Sequence, residues 1–138
     1  MITLTHANGT IVLPKDLDWP DEFEWTPAVT SEQRTMTGAL VIHHSVAQSG
    51  RPITLASGDG SWCARDTVLA LQAIQSADAT LIAAGSKPSP MTLSYHGRVF
   101  EVTWRRAETI PFEATPVFRY AYADGTHPYL ITLRLMEI

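Results

Sequence analysis

The residue types in this chain that suit catalysis or metal binding are few: two adjacent histidines, His43-His44, and a serine and a cysteine two positions apart, Ser61 and Cys63. The histidines fall in Gln33–Val46. There Met36, Gly38, Leu40 and Ile42 alternate with Thr35, Thr37, Ala39 and Val41, which predicts one long strand, with Gly38 marking a bulge or a close backbone approach. Neighbouring strand residues face opposite sides of a sheet, so the two imidazoles diverge and cannot chelate one ion. A zinc site would need a further His, an Asp or Cys63 brought in by the fold. The expectation is one exposed and one partly packed histidine, with no metal and no cofactor.

Ser61 sits in Gly58-Asp59-Gly60-Ser61-Trp62-Cys63, between a short strand and a helix. That is the setting of a hydrolase nucleophile elbow, but the Gly-x-Ser-x-Gly spacing is missing its second glycine. Ser61, or Asp66 after it, reads instead as a helix cap that accepts an orphan amide. Cys63 near the same helix start could be a thiolate, because the helix dipole lowers thiol pKa; it would need an imidazole from elsewhere. Ordinary burial of a free cysteine is the simpler account. A phosphate cradle is excluded: no Gly-Lys-Ser/Thr follows, and Asp59 would repel phosphate.

Asp21, Glu22 and Glu24 lie beside Trp19 and Trp25, as acids and tryptophans do in sugar-cleaving clefts. They are nearly contiguous in a segment flanked by Pro20 and Pro27, and a solvated acidic arm accounts for them better. Arg51 and Arg105-Arg106 could hold a carboxylate or phosphate, but charges of this kind more often guard strand edges. No catalytic pattern emerges, and the chain does not read as an enzyme.

The elements that would position these residues are mostly strands. Met91, Leu93 and Tyr95 alternate with polar residues, His96-Gly97 turns the chain, and Phe100, Val102 and Trp104 alternate on the return: an antiparallel hairpin. Ile2–His6 and Thr10–Leu13 form another around Asn8-Gly9. Further strands are read at Arg51–Ala56, Val117–Ala123 (Phe118, Tyr120 and Tyr122 on one face) and Tyr129–Ile138 (Tyr129, Ile131, Leu133 and Leu135 together). Arg105–Pro116 reads as broken by its prolines. The one helix carries Ala64, Val68, Leu71 and Ile74 as an apolar stripe, turns Gln72, Gln75 and Asp78 outward, and fades near Ala77–Thr80. Lys15–Ser31, with two prolines, a run of acids and Trp19, Phe23 and Trp25, reads as an ordered loop laid across the body or an arm that packs on a neighbour.

The fold class expected is mainly β: an antiparallel β-barrel or sandwich of about seven to eight strands with one flanking α-helix. At 138 residues, residues 1–138 make one domain, and 45% hydrophobic residues suffice for a core. The net charge of −4, with no basic block, disfavours nucleic-acid binding. A single cysteine excludes an intramolecular disulfide. Met1–His6 lacks the basic and apolar regions of a signal peptide, and no apolar run approaches the roughly 20 residues that span a bilayer. A soluble protein made in the cytoplasm, with no membrane partner, is expected.

Taken in order, several segments carry a family resemblance: the Asn8-Gly9 hairpin, Thr37-Gly38-Ala39-Leu40, Gly50-Arg51-Pro52-Ile53-Thr54-Leu55, the Trp62-led helix ending in Ala70-Leu71-Gln72-Ala73, and Met91–Val102. This layout resembles small tail-tip proteins of tailed bacteriophages and prophages, of the distal tail or tail-tube-like kind. The resemblance implies a β-barrel or sandwich with a packed helix, and no catalytic residues. It implies self-assembly into rings, commonly hexameric, that join the tail tube to the baseplate hub, with other tail proteins as partners. The place would be the virion tail, after synthesis in the host cytoplasm. Trp19, Phe23 and Trp25 would be the aromatic anchors of the subunit interface. A monomeric carbohydrate- or peptide-binding β-module using the same aromatics is the alternative.

Overall fold

The computed structural model describes residues 1–47, 49–58, 60–107, 110–119 and 124–138. Local turn chemistry builds its first layer. β1 (Ile2–His6) and β2 (Gly9–Leu13) pair in register from Ile2↔Leu13 to His6↔Gly9. The expected strand 33–46 is instead a hairpin. β3 (Ala28–Arg34) and β4 (Leu40–Val46) pair across a turn in which Thr35 N–H donates to Ala39 O at 2.9 Å and Gly38 N–H to Thr35 O at 3.0 Å. Gly38 supplies the positive φ of 86° that the turn needs, so it reverses the chain rather than bulging it.

β5 (Pro52–Ala56) and the two-residue β6 (Cys63–Ala64) lead into α1 (Arg65–Ala83). Neither Ser61 nor Asp66 caps the helix: the N-cap is Ala64, with no side-chain bond. The orphan amides are met by backbone instead, Arg65 N–H donating to His127 O at 3.0 Å and Asp66 N–H to Gly125 O at 3.1 Å. The turn that offers these carbonyls is pinned by Thr126, whose hydroxyl and amide both donate to Asp124 Oδ1 and hold that carboxyl below its ordinary pKa. At the far end the helix runs past Thr80. It stops where Ser86 N–H reaches Leu81 O and Gly85 N–H reaches Ile82 O, with Gly85 at φ 79°.

β7 (Met91–Tyr95) and β8 (Arg98–Trp104) form the expected hairpin, with both turn residues at positive φ, His96 at 47° and Gly97 at 88°. β9 (Phe112–Pro116) occupies part of the segment expected to be broken. Pro111 precedes the strand and Pro116 ends it, so the prolines bracket the ladder rather than interrupt it. Val117–Arg119 lies outside any strand, and Tyr120 and Tyr122 of the strand expected there lie outside the described residues.

β10 (Pro128–Glu137) organises the sheet. One edge pairs with β9 through Tyr129–Leu133 and with β8 through Leu135–Glu137; the other pairs with β5 and β6. The result is one curled, eight-stranded antiparallel sheet ordered β2-β1-β7-β8-β10-β5, with β6 and β9 also on β10. The mainly β, antiparallel architecture, with a single helix among the described residues, is the expected one. Alternate residues of these strands fill the core: Ile2 and Leu4, Ile53 and Leu55, Met91 and Leu93, Val102 and Trp104, Ile131, Leu133 and Leu135. Val68, Leu71 and Ile74 of α1 close it, as their spacing predicts. Asp78 does not face outward; it is fully buried. No helix among the described residues is long and apolar enough to cross a membrane.

Candidate interaction surface

The residues singled out for chemistry are dispersed by the fold. Ser61 is buried, and its Oγ has no hydrogen-bond partner among the described residues. Cys63 is buried too, its thiol facing Ala64 O at 3.7 Å. Burial raises the Cys63 pKa above the ordinary thiol value, outweighing a hydrogen bond with Thr67 that lowers it. Among the described residues neither is bonded to an imidazole, and Asp59 lies outside them. His43 and His44 are both exposed on β4, so the partly packed histidine expected there is not found; His44 Nδ1 lies 3.1 Å from Thr30 Oγ1. No group of three His, Cys, Asp or Glu among the described residues is placed to hold a metal.

The segment 15–31 divides in two. Its first half is laid across the body. Leu17 and Trp19 enter the core, and Trp19 meets the edges of Tyr95 and Phe100, each at 5.5 Å between ring centroids. Arg51 and Arg98 cover the Trp19 ring at 4.8 Å and 5.1 Å. Tyr95 Oη donates to Leu17 O at 3.1 Å. Burial first, then the nearby Glu22 and Asp18 carboxylates, raises the phenol pKa and keeps it a donor.

The acids of this half are structural. Asp18 bridges to Ala56 in both directions at 2.9 Å. Asp21 accepts from Thr54 N–H at 3.1 Å and from Thr54 Oγ1–H at 3.0 Å. Glu22 pairs with Arg98. Together they cover the outer edge of β5. The arginines are engaged as well: Arg51 donates to Glu22 O at 2.8 Å, Arg105 to Thr54 Oγ1 at 2.9 Å, and Arg106 to Asp78.

This placement corrects the expectation for Trp19. It is 3% exposed and cannot anchor a neighbour or stack a sugar without the arm unfolding. Trp25 is half-buried with Arg51 at 5.7 Å from its ring, and Phe23, 90% exposed, is the free aromatic of the three.

The second half of the segment opens the β3–β4 hairpin, which sequence reasoning missed. All seven residues of β3 are exposed, as are six of the seven of β4. The hairpin is a separate two-stranded ladder. Its register places Leu40, Ile42 and Val46 on one face with Ala28, Thr30, Glu32 and Arg34 opposite them. Those three apolar side chains are 46%, 45% and 74% exposed, and Met36 at the tip is bare. An isolated two-stranded hairpin is marginal in water, and bare strand edges invite pairing with another chain. The missed signal was the turn: Thr37-Gly38 between two alternating runs reads as a reversal once Ala28–Arg34 is admitted as a strand. No protein-family model, curated protein or solved structure matches this chain.

Proposed function

We propose that this protein is a structural subunit that works by assembly, a ring-forming component of a phage or prophage tail tip that joins the tail tube to the baseplate hub. The observation that carries the reading is the β3–β4 hairpin, a 7 + 7-residue ladder with Leu40, Ile42 and Val46 exposed. An ordered hairpin with this much apolar surface gains stability once a neighbour covers it. The layout of hairpins around one helix supports the tail-tip class by resemblance. The net charge of −4 suits a ring through which DNA passes without adhering. The place would be the virion tail, with other tail proteins above and below the ring.

Light scattering on a size-exclusion column over a range of concentrations, followed by negative-stain imaging, tests this. Discrete rings with a central hole are expected. A strict monomer whose tryptophan fluorescence is quenched saturably by an oligosaccharide would favour a monomeric binding module instead.

A further inference from the structure

A sheet of this kind has two ends, and the chain treats them differently. The β5 end is covered by Asp18 and Asp21, which bond Ala56 and Thr54. At the other end, among the described residues, β2 pairs with β1 alone. The two-residue Ala7-Asn8 turn closes on the pair His6↔Gly9, so ladder alternation turns the amides and carbonyls of Thr10 and Val12 away from β1. The strand carries no charge and no proline, the usual devices that blunt an edge. Beside it, Thr10 and Ile11 face Ala70 and Ala73 of α1 across an open groove of about 310 Å³.

We infer that this edge and groove receive the β3–β4 hairpin of a second copy, which extends the sheet across the subunit boundary. The inference rests on the assembly reading above. Four observations converge on it. Among the described residues the hairpin pairs with no other strand, which leaves its edges open. Neither β2 nor β4 carries a formal charge with histidine neutral, so docking one on the other desolvates no ion; Glu32 and Arg34 stay on the adjoining strand. Two seven-residue strands and their five-residue turn span nineteen residues, just under the roughly 20–30 that each partner brings to a standard interface.

Position supplies the fourth. The hairpin closes where Ala47 N–H bonds Pro27 O at 2.7 Å, and β5 is the next strand in chain order. Donor and acceptor therefore lie at opposite ends of the strand order. Such a contact is head-to-tail: each copy gives its hairpin to one neighbour and receives one from the other, which produces a ring or a filament.

The test uses the full chain and three variants. Val12→Pro removes an outward amide that has no partner among the described residues. Ala73→Glu puts a charge in the groove. The third variant replaces Thr30–His44 by a short Gly-Ser linker. The two point variants are expected to keep the circular dichroism of the parent and the third to lose only the hairpin's share of the strand signal, and all three to weaken self-association at least about tenfold. Mixing Val12→Pro, whose hairpin is intact, with the hairpin-less variant, whose edge is intact, is expected to give a 1:1 dimer that does not grow. If Val12→Pro fails to fold, Ala73→Glu and its mixture decide. Assembly of Val12→Pro and Ala73→Glu equal to the parent's would overturn the docking site and leave the assembly reading standing. A parent that is monomeric at every concentration would overturn both.

Discussion

His6 Nε2 lies 3.3 Å from Asp78 Oδ1, two fully packed side chains separated by 72 residues in the chain. His6 Nδ1 accepts from Asn8 N–H at 3.2 Å, so Nε2 carries the proton that Asp78 receives. Both ring nitrogens are thereby engaged, and the pair is a latch between β1 and α1 rather than an acid–base couple. Arg106 Nη2 reaches the other carboxylate oxygen at 3.3 Å.

Removing Asp78 leaves His6 buried without its acceptor. Asp78→Ala is expected to cost about 3 kcal/mol of stability, measured by urea unfolding. Arg106→Ala leaves the buried Asp78 carboxylate with no guanidinium beside it and is expected to cost about 3 kcal/mol as well. An Asp78→Ala variant as stable as the parent would refute the latch.

Trp19 and Phe23 are four positions apart and have opposite fates. Trp19→Ala is expected to lose about 3–5 kcal/mol by opening the core. Phe23→Ala is expected to stay within about 0.5 kcal/mol of the parent in the monomer. Thermal melts of both variants separate the two roles; an unstable Phe23→Ala would mean the arm packs differently.

Asp21 keeps the β5 edge covered. Asp21→Ala is expected to cost about 1–2 kcal/mol and to free the Thr54 amide. Because an uncovered edge is a template for pairing, the variant should aggregate faster than the parent when light scattering is followed at 37 °C.

Cys63 gives a pH dependence. Its folded pKa is raised by burial, so its contribution to stability is fully present below the ordinary thiol value of 9.0 and is lost as pH rises from there through the raised folded value. Alkylation of the native protein at pH 8 should run at least about tenfold slower than that of the chain in urea. Equal rates would place the thiol at the surface.

Turn geometry is testable at Gly97, which holds φ 88° with open space around it. Gly97→Ala meets no neighbour, yet it is expected to cost about 1 kcal/mol through backbone strain alone, read from the melting temperature.

What the chain determined by itself was local. A reversal near Asn8 and the His96-Gly97 turn lie between alternating runs, and Val68, Leu71 and Ile74 recur at helical spacing; each pattern needs only neighbours within a few residues, so these two hairpins, the helix and the mainly β class were legible, although the first turn falls on Ala7-Asn8 rather than Asn8-Gly9. Tertiary structure decided the rest, because the deciding partners lie far away in sequence. Asp78 looks like a solvated helix residue until His6 and Arg106 arrive from β1 and the end of β8. Ser61 looks like a helix cap until the 124–127 turn brings carbonyls to the same amides. Trp19 looks like part of an exposed arm until Tyr95, Phe100 and two arginines enclose it. The exposed hairpin is the sharpest case: the alternation of Leu40, Ile42 and Val46 is the same whether these side chains meet the core or stand exposed, and only the packing of the body distinguishes the two.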